Sequence, residues 1–168
     1  MNAQALCNIV YTIYSKGALL SKATGGNFSV SDSVISDLRD SAQELDREQV
    51  IRILKDAEDE VQGISFDGDE LAFSGFPQTD DALKARAWSL LADAICHYAA
   101  KVHKVITKKT NDENEKFAFR IWLTRLGLNG VQYKAERNVF YQNLSGHTAF
   151  KDDAAKSRWL EKHGKKHE

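Results

Sequence analysis

Cationic and aromatic side chains alternate over residues 116–141, where Arg120, Arg125, Lys134 and Arg137 stand among Phe117, Phe119, Trp122, Tyr133, Phe140 and Tyr141. Such a mixture suits a surface for single-stranded nucleic acid, because cations neutralise phosphates while rings stack on exposed bases. Core aromatics covered by the stems of long basic side chains account for the same letters. Arg120, Lys134 and Arg137 are the candidate phosphate contacts, with Tyr133 and Tyr141 beside them. Arg125 differs, since at helical spacing it falls among Phe117, Ala118, Ile121 and Trp122, where an unpaired guanidinium is costly. It is therefore expected to be buried against a carboxylate such as Glu136 or against helix-end carbonyls; the alternative is that it faces a cleft. Asn143 and Ser145 complete the candidate partner-binding set. Ser145 and His147 are only two residues apart, and no nucleophile elbow surrounds them, so no catalytic residue is assigned.

Other chemistry is weakly supported. Gly25-Gly26 lacks the following Gly-Lys-Ser/Thr of a phosphate loop and reads as a hairpin turn. Asp67, Asp69 and Glu70 imitate the start of a calcium loop whose remaining ligand positions are unfilled. His97 and His103 are six residues apart and point in different directions around a helix, whereas His163 and His167 lie in a glycine-interrupted terminus. Cys7 and Cys96 have no ligand spacing and are expected to be buried free thiols. No metal and no cofactor are implied.

The elements that position these residues follow from periodicity and capping. Leu6, Ile9, Val10, Ile13 and Tyr14 predict a helix over 3–15, ended by Lys16-Gly17. Alternating Ser, Thr and Val predict two or three short antiparallel strands over 18–37. Ser41-Ala42-Gln43-Glu44 has the form of a capping box for a helix over 42–58. Residues 61–66 and 71–76 predict a hairpin about Asp67-Gly68-Asp69-Glu70. Thr79 is expected to cap a long central helix whose apolar stripe runs from Leu83 to Ile106. Asp112 and Glu115 then open a nearly buried helix that Gly127 ends, and a wedge helix follows over 131–143. The fold class expected is α+β, a small antiparallel sheet with packed helices followed by a helical C-terminal half.

With 168 residues, 42% hydrophobic and 28% charged, the chain is long enough for a substantial core, and one domain over 1–168 is the expectation. Its charge is polarised. Residues 1–80 hold 6 Lys+Arg against 14 Asp+Glu, a net of −8, and residues 81–168 hold 17 against 10, a net of +7. The expected parts are an acidic half at 1–80, a helical half at 81–151 and a tail at 152–168. Opposed charge of this kind marks a basic face for nucleic acid, or halves that attract each other or solvate their own surfaces. No apolar run reaches the ~20 residues of a membrane span, and the N-terminus lacks a basic start and a cleavage site, so a cytoplasmic location away from membranes is expected.

The stretch EKFAFRIWLTRLGLNGVQYKAERN, followed by NLSGHTAFK, resembles the C-terminal segment of a family labelled "virulence-related protein", carried on integrative and conjugative elements of Gram-positive gut bacteria. The likeness extends over residues 70–151, with a Phe-rich strand and a proline before the long helix; residues 1–69 follow the family's helix, strands, helix order more loosely. The tail from Asp152 runs past the family's usual end. The resemblance implies a mobile-element accessory protein and assigns no residue a role. Three functions are compatible with these readings. The first is non-enzymatic binding to a protein complex, such as a host nuclease or defence system. The second is a nucleic-acid-binding factor in transfer or regulation, and the third is a nuclease or hydrolase whose site assembles only in the fold.

Overall fold

A computed structural model describes residues 1–40, 45–68, 70–110 and 113–164. The architecture is α+β, with short antiparallel strands in the first half and helices throughout the second. Helix α1 spans Ala3–Thr24, capped by the Asn2 side chain, which accepts from the amide of Ala5. Fifteen of its 22 residues are buried, so α1, and not the long helix expected after Thr79, is the element about which the rest packs. Gly17 does not end it. A Cβ there would lie 2.5 Å from the carbonyl oxygen of Phe28, so this glycine permits close approach of the following chain. The helix stops instead at Gly25, whose φ of 73° lets the amides of Gly25 and Gly26 reach the carbonyl of Ser21 at 2.8 and 3.1 Å. Thr24-Gly25-Gly26 is thus a helix stop and not a hairpin turn.

The strands expected over 18–37 reduce to β1, Ser29–Val30, and the following residues form α2, Asp32–Asp40. Local Ser and Val alternation is outweighed there by the burial of Val34, Ile35 and Leu38, which share one face at helical spacing. The predicted capping box at 41–44 lies outside the described residues. Helix α3, Arg47–Asp56, is capped by Asp46, which accepts from the amide of Gln49 at 2.8 Å while the Gln49 side chain accepts from the amide of Asp46. Strand β2, Val61–Gln62, pairs antiparallel with β1, and β3, Ser65–Asp67, forms the expected hairpin with β4, Glu70–Ala72, in the register Phe66↔Leu71. Residues 73–76 leave the hairpin, and Phe76 stacks on Trp88 with ring centroids 5.7 Å apart.

Helix α4, Ala82–Lys101, is capped by Asp81, two residues later than Thr79, whose hydroxyl accepts from the Asp81 amide. It ends before the predicted stripe does. The buried Asn8 side chain donates to the carbonyls of Ala99 and Val102 and accepts from the amide of Val105, which draws residues 102–110 off the helix axis and lays them along α1. Helix α5, Glu115–Arg125, is capped by Asn114, which accepts from the amide of Phe117; the expected cap Asp112 lies outside the described residues. Gly127 takes the left-handed conformation expected of it, with φ 82°. The wedge helix is shorter than expected: a 3₁₀ turn at Val131–Tyr133 precedes α6, Lys134–Tyr141, and Val131 is 84% exposed. Helix α7, Asp153–His163, has no buried residue; a ring contact of Trp159 with Phe150 joins it to the preceding segment. Among the described residues, no helix is long and apolar enough to cross a membrane.

Candidate functional site

Phe117, Ile121 and Arg125 recur every four residues on α5 and therefore share one face, as the sequence places them. That face is not core. Helix α5 buries Phe119, Trp122 and Leu123, leaving Ile121 37% exposed and Arg125 exposed. Among the described residues, no carboxylate or carbonyl binds Arg125; Glu136, its expected partner, is buried and pairs instead with Arg86, Nε to Oε1 2.7 Å. The expectation of a buried, structural Arg125 is therefore corrected. The helix covers the core with a narrower stripe than its aromatic content suggests, and the Arg125 face borders open space.

Two basins meet there. One, about 470 Å³, lies between the middle of α1, the extended segment 102–110 and α5; the other, about 490 Å³, lies along the outer face of α5 toward Lys151. Lys16, Trp122 and Arg125 border both, making one continuous cleft. The first basin adds Lys104, Lys108 and Lys109 and the 78%-exposed Ile106. Among the described residues, no acidic side chain lines this basin, whereas Glu113 and Asp152 line the second beside Lys151. Thr12 and Ser15 also border it, but their hydroxyls donate to the carbonyls of Asn8 and Thr12 within α1, which leaves them ill-suited as nucleophiles.

The cations of the cleft are not equivalent. Lys109 lies 4.5 Å over the Tyr14 ring and 3.1 Å from Asp32 Oδ1, which also accepts from the Tyr14 hydroxyl at 2.7 Å. The hydrogen bond from Tyr14 and then the bond and charge of Lys109 hold the Asp32 carboxyl below its ordinary value, while the bond to Asp32 raises Lys109. Lys16 donates to the Thr110 hydroxyl. Lys104, Lys108 and Arg125 are exposed, and among the described residues no ion pair holds them.

The remaining candidates lie elsewhere. Arg120 donates to the carbonyl of Thr148 at 2.9 Å, and Arg137 donates to those of Leu128 and Gly130 at 2.9 and 2.6 Å, stitching the turn after α5. Burial raises the Tyr141 hydroxyl, and the charges of Arg137 and Arg120 pull it back. Lys134 is exposed at the start of α6. Asn143 donates to Ala23 O at 3.5 Å, and the amide and hydroxyl of Ser145 both donate to Glu115 Oε2 at 2.8 Å. Burial pushes the Glu115 carboxyl up, but the bonds from Lys22 and Ser145 outweigh it and hold it below its ordinary value. Asn143 and Ser145 thus strap residues 143–151 to α1 and α5. Among the described residues, no group of three or more His, Cys, Asp or Glu is placed to hold a metal ion.

The residues that sequence reasoning missed are Lys104, Ile106 and Lys108, which were expected on a helix, and Asn8, which takes them off it. The β-branched run Val105-Ile106-Thr107 was the available signal, as such residues disfavour helix. Comparison of the chain with protein-family models, with curated proteins and with solved structures finds no match.

Proposed function

We propose that this chain is a non-enzymatic binding protein, an accessory factor of a mobile element that docks an acidic surface of a partner protein in the Arg125 cleft. The single observation that carries this reading is the joining of exposed Ile106 and Ile121 to the unpaired cations Lys104, Lys108 and Arg125 in one cleft. Exposed aliphatic side chains beside a cluster of cations suit a protein interface, where apolar anchors supply affinity and charge selects the partner. A single-stranded nucleic acid needs stacking platforms. Of the rings that line the cleft, Trp122 is only 4% exposed and Tyr98 and Phe117 are half-buried, so none of them is an open platform. The resemblance of residues 70–151 to a conjugative-element family supports a host nuclease or defence complex as the target.

The test is capture from nuclease-treated host lysate by the parent chain and by Arg125→Glu and Lys108→Glu variants. A partner retained by the parent and lost by both variants is the expected result. Retention by both variants overturns the reading, and capture that vanishes on nuclease treatment moves it to nucleic acid.

A further inference from the structure

The polarised charge of this chain has two structural poles. The basic pole is the cleft just described. The acidic pole lies at the end of α3, where Glu58 and Asp59 border a separate groove of about 340 Å³ floored by Leu54, Val61, Ile64 and Phe66. Asp56, Glu58 and Asp59 are all exposed, and among the described residues none of them is in an ion pair. The cleft and the groove share no lining residue. The first basin of the cleft therefore presents an exposed aliphatic side chain, Ile106, among five cations, and the groove presents an apolar floor bordered by Glu58 and Asp59 with Lys55 beside them, next to exposed Asp56.

We propose that the acidic groove of one copy docks in the basic cleft of a second copy, so that self-association occupies the partner-binding surface until a partner displaces it. The inference rests on the reading of the cleft as a docking surface. Charge complementarity selects the occupant. Cleft against cleft would set Lys104, Lys108 and Arg125 against their own copies, which like-charge repulsion forbids, whereas cleft against groove neutralises both poles. Overall repulsion does not oppose the contact, because the whole chain carries a net charge of only −1. Such a contact joins different surfaces, so it builds either a reciprocal dimer or an open chain, depending on the rotation between copies.

The experiment uses the purified full chain and two charge-reversed variants, Lys104→Glu/Lys108→Glu/Arg125→Glu and Asp56→Lys/Glu58→Lys/Asp59→Lys, each checked by circular dichroism and melting. Sedimentation velocity at about 0.02 M salt is expected to show concentration-dependent association of the parent, lost at about 1 M, where the Debye length falls to about 3 Å. Each variant alone is expected to remain monomeric, and an equimolar mixture of the two is expected to associate again, because each reversed pole then faces its opposite. A parent that stays monomeric at low salt, a variant that associates as the parent does, or a mixture that fails to restore association overturns the proposal. If either variant fails the folding check, Lys108→Gln/Arg125→Gln or Glu58→Gln/Asp59→Gln replaces it, with loss of association expected and unchanged association overturning the proposal. Lysate capture separates this result from the previous reading: a monomeric parent whose capture still depends on Arg125 sinks only the self-contact. An associating parent whose capture ignores Arg125 sinks only the partner.

Discussion

Glu136 on α6 is 2% exposed, with one carboxylate oxygen 2.7 Å from Arg86 Nε on α4 and the other without a hydrogen-bond partner. A carboxylate in that position depends on its one cation. Arg86→Ala is expected to lower stability by about 1–3 kcal/mol, toward the low side of a broken buried pair because the Arg86 side chain is itself 68% exposed. Replacing both residues, Arg86→Leu with Glu136→Leu, is expected to cost less than Arg86→Ala alone, since it removes the buried charge with its partner. Chemical denaturation of the two single variants and the double variant checks this, and additive losses would contradict it.

Asn8 decides the course of residues 102–110, and through them the basic wall of the cleft. Asn8→Ala leaves two carbonyls and one amide without that partner, at an expected cost of about 2–4 kcal/mol in total. Amide hydrogen exchange in residues 102–110 is expected to quicken before global unfolding. Unchanged protection there would show that the segment holds its place without Asn8.

Arg125 is expected to be free of any stabilising role. Arg125→Ala should shift stability by no more than about 0.5 kcal/mol, as for an exposed side chain, where a buried guanidinium would have cost about 3–5. A thermal melt that overlays the parent's, together with lost capture of the partner, is the expected pair of results.

The pH dependence of the Asp32 cluster has a definite sign. A carboxyl whose folded value is depressed contributes stability that is present above its unfolded pKa and lost as pH falls through the folded one. Asp32 is thus expected to support the Tyr14 and Lys109 contacts at neutral pH and to release them only in acid, below about pH 4. Carboxyl carbon shifts followed by NMR should place Asp32 below ordinary aspartates, and Tyr14→Phe should move it up. An unmoved titration in that variant counts against the hydrogen bond as the main cause.

The two thiols are expected to separate by reactivity. Burial pushes Cys7 up to about 11 and raises half-buried Cys96 as well, so both are protonated at neutral pH. Alkylation of the folded protein near pH 8 should label Cys96 slowly and Cys7 only after unfolding. Early labelling of Cys7 would mean that the N-terminal part of α1 opens locally.

Single residues that act through their own backbone were legible in the sequence. Gly127 takes a left-handed conformation after α5 and the hairpin turns about Gly68, because each feature is set by local sterics or a hydrogen bond spanning only a few residues. The α+β class followed from the same signals. The site did not, because its form depends on contacts between distant parts of the chain. Gly17 reads locally as a helix stop, yet it admits Phe28 against α1, and the stripe from Leu83 to Ile106 reads as one helix until Asn8 claims its last carbonyls. The direction of Arg125 on its helix was fixed by spacing alone. Whether that direction meets a carboxylate or open space depends on where residues 102–110 and the 143–151 strap come to lie. Those positions are set by contacts that span up to 120 residues of sequence, and no local pattern records them.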